Sequence, residues 1–153
     1  MWLFNKKNDH KTSKEMRESF SVLQGQRNGK PFLATINMTA KNYAYKKEYP
    51  WCLGISIEFK KSTANGLATA KELKELEPFE DKIHALIASK CKLQYIGASN
   101  WYEHRELIFY ISDPKELVIE LQKMMDSKQE WRFNFMSRRD PKWKQISVFF
   151  KSN

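Results

Sequence analysis

The 153-residue chain has little cysteine and no long apolar run, and each shortage argues against a class of protein. Its two cysteines, Cys52 and Cys91, are too few for a disulfide framework, so a reduced, cytoplasmic setting is expected. At the N-terminus only residues 2–4 are apolar before charged residues begin, which is too short for a membrane span. We therefore expect no transmembrane segment, a flexible basic lead-in over residues 1–18 and a single domain over residues 19–153.

Acidic residues are also scarce: 27 Lys and Arg against 18 Asp and Glu give a formal net charge of +9. Residues 1–50 carry ten basic and four acidic residues, residues 51–112 carry eight of each, and residues 113–153 carry nine and six. The excess lies in the two end segments. It promotes association with nucleic acid, anionic membrane or acidic protein without specifying a reaction. Nucleic-acid binding through the basic ends, including residues 137–144, is one alternative for function.

Two stretches of the first half are typical of β structure. The apolar runs Phe20–Gln24 and Phe32–Met38 are separated by Asn28-Gly29, a dipeptide that predicts a β-hairpin. From Trp51 to Phe59 every odd position is apolar and the even positions are small or polar, which predicts a strand with one buried face.

Two helices are predicted from their start signals. Thr69 with Glu72 three residues on forms a capping-box pattern ahead of apolar residues spaced at a helical period. Pro78 lies inside this helix and is expected to kink it or split it into two pieces. Asp113-Pro114 predicts the start of the second helix.

Further strands are predicted at residues 92–99, 104–111 and 131–136, whereas residues 143–150 suit either a helix or a strand. The resulting order predicts an α+β two-layer sandwich with a ferredoxin-like β-α-β-β-α-β core. Across the sheet the expected order is 131–136, 51–59, 104–111, 92–99. The N-terminal hairpin either extends the antiparallel sheet or covers its second face.

Four charged residues are expected near one end of this sheet: Glu58, His104, Glu106 and Arg132. The first hypothesis is a polar site in which Glu58 or Glu106 acts as base or metal ligand, His104 as acid or second ligand, and Arg132 holds an anion. The alternative is a solvated rim with cross-strand salt bridges. The pattern implies no particular metal or cofactor.

The turn between two of these strands carries large aromatics. Trp101 and Tyr102 lie beside charged residues including Arg105, and aromatics on loops commonly serve as binding anchors. The alternative is that the two rings fold back over the edge of the core. The strand that follows lacks the Gly-aromatic pattern of the RNA-recognition module, so RNA binding by that mode is disfavoured.

Several short motifs in order resemble a known family: "YPWCLGISIEF", "GLATAKELKELEPFEDKI", "YIGASN", "RELIFYISDP" and "DPKW". Together they resemble the bacterial domain of unknown function 695, over about Phe20 to the C-terminus. The pattern is more distantly similar to the type B regulator of ribonuclease E activity, an acidic protein-binding inhibitor. The resemblance implies a non-enzymatic binding role and no catalytic residue.

The sequence therefore favours a cytoplasmic, non-catalytic domain that binds another protein through Trp101, Tyr102 and Arg105. The enzyme or metal site and nucleic-acid binding remain alternatives.

Overall fold

A computed structural model describes residues 15–151, so most of the predicted lead-in, residues 1–14, lies outside the described residues. The strands are β1 Phe20–Arg27, β2 Lys30–Asn37, β3 Trp51–Glu58, β4 Leu93–Trp101, β5 His104–Ile111 and β6 Phe133–Arg139. The α-helices are α1 Ala70–Lys90 and α2 Lys115–Asp126. Three 3₁₀ helices, which the sequence did not predict as such, cover Met38–Asn42, Lys46–Glu48 and Lys144–Phe150.

The six strands form one antiparallel sheet in the order β1-β2-β4-β5-β3-β6. The order predicted for the last four strands is confirmed, as is the α+β two-layer class. β2 pairs with β4, so the N-terminal hairpin extends the sheet. Of the two arrangements left open by the sequence, extension is the correct one.

The hairpin forms where its turn dipeptide predicted it. Asn28 and Gly29 have φ of 52° and 76°, and two positive values suit a two-residue turn whose twist matches the strands. Where β2 pairs with β4, Gly97 has a φ of 149°, and a Cβ there would lie 2.0 Å from the Thr35 carbonyl oxygen. Only glycine allows the hairpin to approach β4 this closely.

Helix α1 begins as predicted, with the Thr69 Oγ1 accepting a hydrogen bond from the Glu72 N–H at 3.2 Å. Of the two outcomes expected at Pro78, the split is wrong, because α1 runs without interruption from Ala70 to Lys90, and the kink stays a prediction. Leu76 and Phe79 are both buried, so packing on either side of the proline holds the helix together despite the missing donor.

Asp113 caps helix α2, as the Asp113-Pro114 start signal predicted: the helix begins at Lys115, whose N–H donates to the Asp113 carboxylate. One strand boundary differs from prediction. Strand β6 starts at Phe133 and extends to Arg139, beyond the predicted 131–136. Trp131 is buried in the core just before the strand, and the Arg132 carbonyl accepts a hydrogen bond from the Glu58 N–H at 3.0 Å.

Apolar side chains form a core on each face of the sheet. The helix-side core contains the odd-numbered residues of β3 and β5, packed beneath α1 and α2. The second core contains Ile108 and Tyr110 of β5 together with the hairpin residue Ile36, packed against Trp143 and Ile146 near the C-terminus. The second face is thus partly covered by the 3₁₀ segments.

Asp140 anchors the cover of the second face. The residue is only 7% exposed, and its carboxylate accepts hydrogen bonds from the N–H groups of Lys144 and Gln145, both at 2.9 Å. The Tyr110 hydroxyl donates to the same carboxylate at 2.7 Å, and the Tyr110 ring stacks on Trp143 with centroids 4.3 Å apart. Residues predicted as helix or strand therefore form a 3₁₀ helix held onto the sheet.

Candidate functional site

A cleft of about 890 Å³ lies on the second face of the sheet, where the C-terminal cover stops. Strand β1 contributes residues 23–27 to its lining, and the C-terminal segment contributes Gln145, Ile146, Val148, Phe149 and Lys151. The floor contains Cys52 and Gly54 of β3 and Glu106 and Ile108 of β5, even-numbered residues on the face away from the helices. The cleft therefore exists because the hairpin extends the sheet farther than the C-terminal segment covers it.

Glu106 is the acidic residue of the cleft floor. Gly54 on the neighbouring strand has no side chain, and a Cβ there would lie 3.4 Å from the Glu106 Oε2. The carboxylate therefore lies over Gly54. Loss of hydration between the cleft walls raises its pKa, and the charge of Arg27 partly opposes this rise.

Three cations line the same cleft as this carboxylate: Arg27 from β1, Arg138 from β6 and Lys151 near the C-terminus. All three are exposed, and between Glu15 and Lys151 none of them forms an ion pair within 4.0 Å. The cleft thus presents three positive charges and one negative charge to a ligand. Such an arrangement favours an anionic partner.

The walls of the cleft are apolar. Phe32 lies on the hairpin side, while Ile146 and Phe149 lie on the side of the C-terminal segment. Met136 is 64% exposed and Val148 is 61% exposed, unusually high values for large apolar residues that line one cleft. A ligand that covered them would remove apolar surface from water.

Cys52 lines the cleft but is a poor nucleophile. Burial raises the pKa of its thiol to about 11, although a hydrogen bond with Tyr110 and the charge of Arg138 act in the opposite direction. Burial also raises the pKa of Tyr110. For Asp140 burial opposes ionisation, yet the donors Gln145, Tyr110 and Lys144 lower the pKa of the carboxyl. This network holds the C-terminal cover in place.

The four predicted polar residues lie near the same end of β3, β5 and β6, but they do not all line the cleft. Glu58 and His104 are paired across β3 and β5, on the same face as Glu106, while Glu106 pairs with Ser56. The Arg132 carbonyl accepts a hydrogen bond from the Glu58 N–H, and the Arg132 side chain is exposed. Of the four residues, Glu106 lines the cleft.

His104 is held by its own turn. Its Nδ1 lies 2.9 Å from the Tyr102 carbonyl oxygen, and since a carbonyl only accepts, Nδ1 carries the proton. Within residues 15–151 no three His, Cys, Asp or Glu side chains are grouped so that they could hold a metal ion.

The predicted aromatic pair lies together at the hairpin end of the sheet, with ring centroids of Trp101 and Tyr102 5.5 Å apart. The Trp101 Nε1 donates to the Arg27 carbonyl at 3.0 Å, and the Arg27 guanidinium lies 4.8 Å from the Trp101 ring centroid. The Lys30 ammonium lies 4.4 Å from the Tyr102 ring centroid, and Tyr102 remains 46% exposed. Trp101 thus packs on the hairpin and supports Arg27 at the cleft.

Arg105 does not lie with these aromatics. It faces the helix layer, where its guanidinium pairs with Glu80 and also donates to the Asn100 Oδ1 at 3.1 Å. Its side chain is only 20% exposed. The basic run near the C-terminus is divided in the same way, since Arg138 lines the cleft while Arg139 lies 5.8 Å from the Trp51 ring centroid.

The sequence did not single out Arg27, Arg138 or the apolar cleft residues. Arg138 belongs to the basic run 137–144 noted in the sequence, but its place in the cleft follows from its pairing with Cys52 in the register that joins β3 to β6, which the predicted strand 131–136 did not reach. For Arg27 the signal was weaker, since it required knowing that the hairpin extends the sheet.

Fold and cleft define a two-layer α+β domain with a mixed apolar and basic groove on the sheet face opposite its helices. Residues 18–150 match the model of the family of unknown function DUF695, and the chain belongs to that family. The family prediction is confirmed. No curated protein and no solved structure matches the chain. Among the described residues, neither α-helix is long and apolar enough to cross a membrane.

Proposed function

We propose that the chain is a non-catalytic module that binds an acidic, partly apolar segment of another protein in the cleft. The observation that carries this proposal is the composition of the cleft: three cations without ion-pair partners among residues 15–151, one carboxylate, and exposed apolar walls. A protein segment can satisfy both chemistries at once, with carboxylates near the cations and apolar side chains against the walls.

Charge position supports an acidic segment. Arg27 and Arg138 come from the two edge strands of the sheet, so a ligand that lies across the cleft meets one cation near each side. Glu106 lies on the floor between these strands and would repel a continuous chain of phosphates. This favours a protein segment with spaced carboxylates over nucleic acid.

The cysteines are consistent with the expected cytoplasmic setting, which belongs to the proposal. Cys52 and Cys91 are both free thiols. The enzyme or metal site at Glu58, His104, Glu106 and Arg132 stays a prediction, since the cleft contains only Glu106 of that set.

The test is selection of binding peptides from a random display library against the purified protein, followed by titration of synthetic copies. We expect the selected peptides to combine Asp or Glu with large apolar residues. Arg138→Glu is expected to weaken their binding by about tenfold or more, because it reverses a charge inside the cleft.

Arg139→Glu provides the matched control, since it makes the same charge change at the adjacent residue, which lies against Trp51 outside the cleft. Its effect on binding is expected to be within about twofold of wild type. Selection of basic peptides, or equal losses for the two variants, would contradict the proposal. Binding of a single-stranded oligonucleotide with the same dependence on Arg138 would favour nucleic acid instead.

A further inference from the structure

Strand β1 is an edge strand with few of the features that normally protect such an edge. It pairs with β2 on one side, and among residues 15–151 it is the outermost strand of the sheet. From Phe20 to Gln26 the strand contains no charged residue and no proline, although natural edge strands usually carry one or the other. Phe20 and Val22 are 41% and 62% exposed.

The register determines which backbone groups of β1 face outward. The Met38 N–H donates to the Ser19 carbonyl at 2.9 Å, so odd-numbered residues of this strand form the bonds to β2. In an antiparallel pair, bonded and non-bonded residues alternate. The N–H and C=O groups of Phe20, Val22, Gln24 and Gln26 therefore point away from β2.

The open edge borders the cleft. Residues Leu23–Arg27 line it in unbroken succession. A strand that met the cleft only with one face would contribute every second residue, since side chains alternate between faces. Leu23 packs in the second core, so the side chains of Gln24 and Gln26 point to the other face, and these two residues contribute backbone atoms to the cleft wall.

We propose that the partner segment binds as an additional β-strand, pairing its backbone with the open edge of β1 and placing alternate side chains in the cleft. This inference rests on the proposed function and specifies its mode of binding. Main-chain bonds would supply affinity, and the apolar and basic cleft walls would supply specificity. The sheet would gain a seventh strand.

Charge favours an acidic partner over a second copy of this chain. Arg27 ends β1 and Lys30 begins β2, so the hairpin end of the open edge is positive. Two copies with a net charge of +9 each repel one another, whereas an acidic strand is attracted.

The direct test is amide hydrogen exchange by NMR on the wild-type protein. The probe is a short synthetic peptide of alternating valine and threonine with glutamates at both ends. At saturation we expect hydrogen exchange to slow by about tenfold or more at four amides, because these amides acquire hydrogen-bond partners. They are the amides of Phe20, Val22, Gln24 and Gln26. The odd-numbered amides of β1, already bonded to β2, are expected to change little.

A variant tests the same bond by titration. Gln24→Pro removes one outward donor at an edge position where proline is tolerated, and is expected to weaken peptide binding by about tenfold. Gln24→Thr keeps the N–H and is expected to bind about tenfold more tightly than Gln24→Pro. A peptide N-methylated at alternate residues checks the result without changing the protein, since methylation on the paired side should abolish binding.

The outcomes separate the two proposals. If peptides bind and Arg138→Glu weakens them, but the even-numbered amides and Gln24→Pro behave as the odd-numbered amides and Gln24→Thr do, strand addition is refuted and the cleft proposal stands. If no acidic peptide binds the wild-type protein, both are refuted. A concentration-dependent dimer that Gln24→Pro dissociates would identify a second copy as the occupant and overturn the acidic-partner proposal.

Discussion

The carboxylate of Asp140 is predicted to be the main anchor of the segment that covers the second face of the sheet. It accepts hydrogen bonds from the Tyr110 hydroxyl at 2.7 Å and from the Lys144 and Gln145 N–H groups at 2.9 Å each. Asp140→Asn removes the charge and replaces one acceptor oxygen by an NH₂ group, which meets donors instead of acceptors. The substitution changes the chemistry of the anchor while keeping its size.

The expected cost follows from the number of bonds affected. Hydrogen bonds to a charged group contribute about 1.5–3 kcal/mol each. If the substitution forfeits the equivalent of two of them at the lower figure, the free energy of unfolding falls by about 3 kcal/mol. For a chain of this size that is about 6–12 °C in Tm. Asp113→Asn is the control, because Asp113 is an exposed cap that asparagine replaces well, with an expected change below about 0.5 kcal/mol.

The pH dependence has a definite sign. Because the folded pKa of Asp140 is lowered from 3.8, its contribution is present above that pH and is lost as the pH falls through the folded pKa. Urea denaturation between pH 2 and pH 7 measures this. The stability gap between wild type and Asp140→Asn should be largest near neutral pH and shrink below pH 3.8. A gap under about 0.5 kcal/mol at pH 7, or one unchanged at pH 2, would refute the anchoring role.

Two further predictions concern Gly97, where β4 pairs with the hairpin, and Cys52 in the cleft. Gly97→Ala places a Cβ 2.0 Å from the Thr35 carbonyl oxygen and should lower the free energy of unfolding, measured by urea denaturation, by more than about 2 kcal/mol. Gly54→Ala is the control: its nearest contact is 3.4 Å, and it should lower the free energy of unfolding by less than half as much. In a Cys91→Ser background, iodoacetamide at pH 8 should alkylate folded Cys52 about 100-fold more slowly than unfolded Cys52, because the raised pKa of about 11 leaves little thiolate; equal rates by mass spectrometry would contradict this.

The order of the sheet could be predicted from sequence because local patterns determine it. Alternation from Trp51 to Phe59 identified a strand with one face toward the helices, and the Asn28-Gly29 turn fixed the register of the hairpin. The continuity of α1 through Pro78 could not be predicted, because it depends on tertiary packing of Leu76 and Phe79 on both sides of the proline.

Of the candidate site, Glu106 was found from sequence and the rest of the cleft was not. Arg27 and Arg138 are far apart in the chain and come together only because one hairpin extends the sheet and the other edge strand runs to Arg139. Sequence neighbours were misleading for Arg105, which was grouped with Trp101 and Tyr102 but faces the helix layer. In a strand, adjacent residues face opposite ways, so nearness in sequence near β5 did not imply a shared surface.

The apolar pattern of β5 contained more information than a choice between two faces. Leu107 and Phe109 pack on the helix side, while Ile108 and Tyr110 pack on the other side. Apolar residues at both odd and even positions therefore indicated a strand that is covered on both faces. The apolar residues begin just after Glu106, and the C-terminal cover of the second face also stops at this residue. The polar start of the strand and its apolar continuation thus have one cause: the C-terminal cover reaches Ile108 and Tyr110 but leaves Glu106 accessible in the cleft, beside an edge strand that has no neighbour among the described residues.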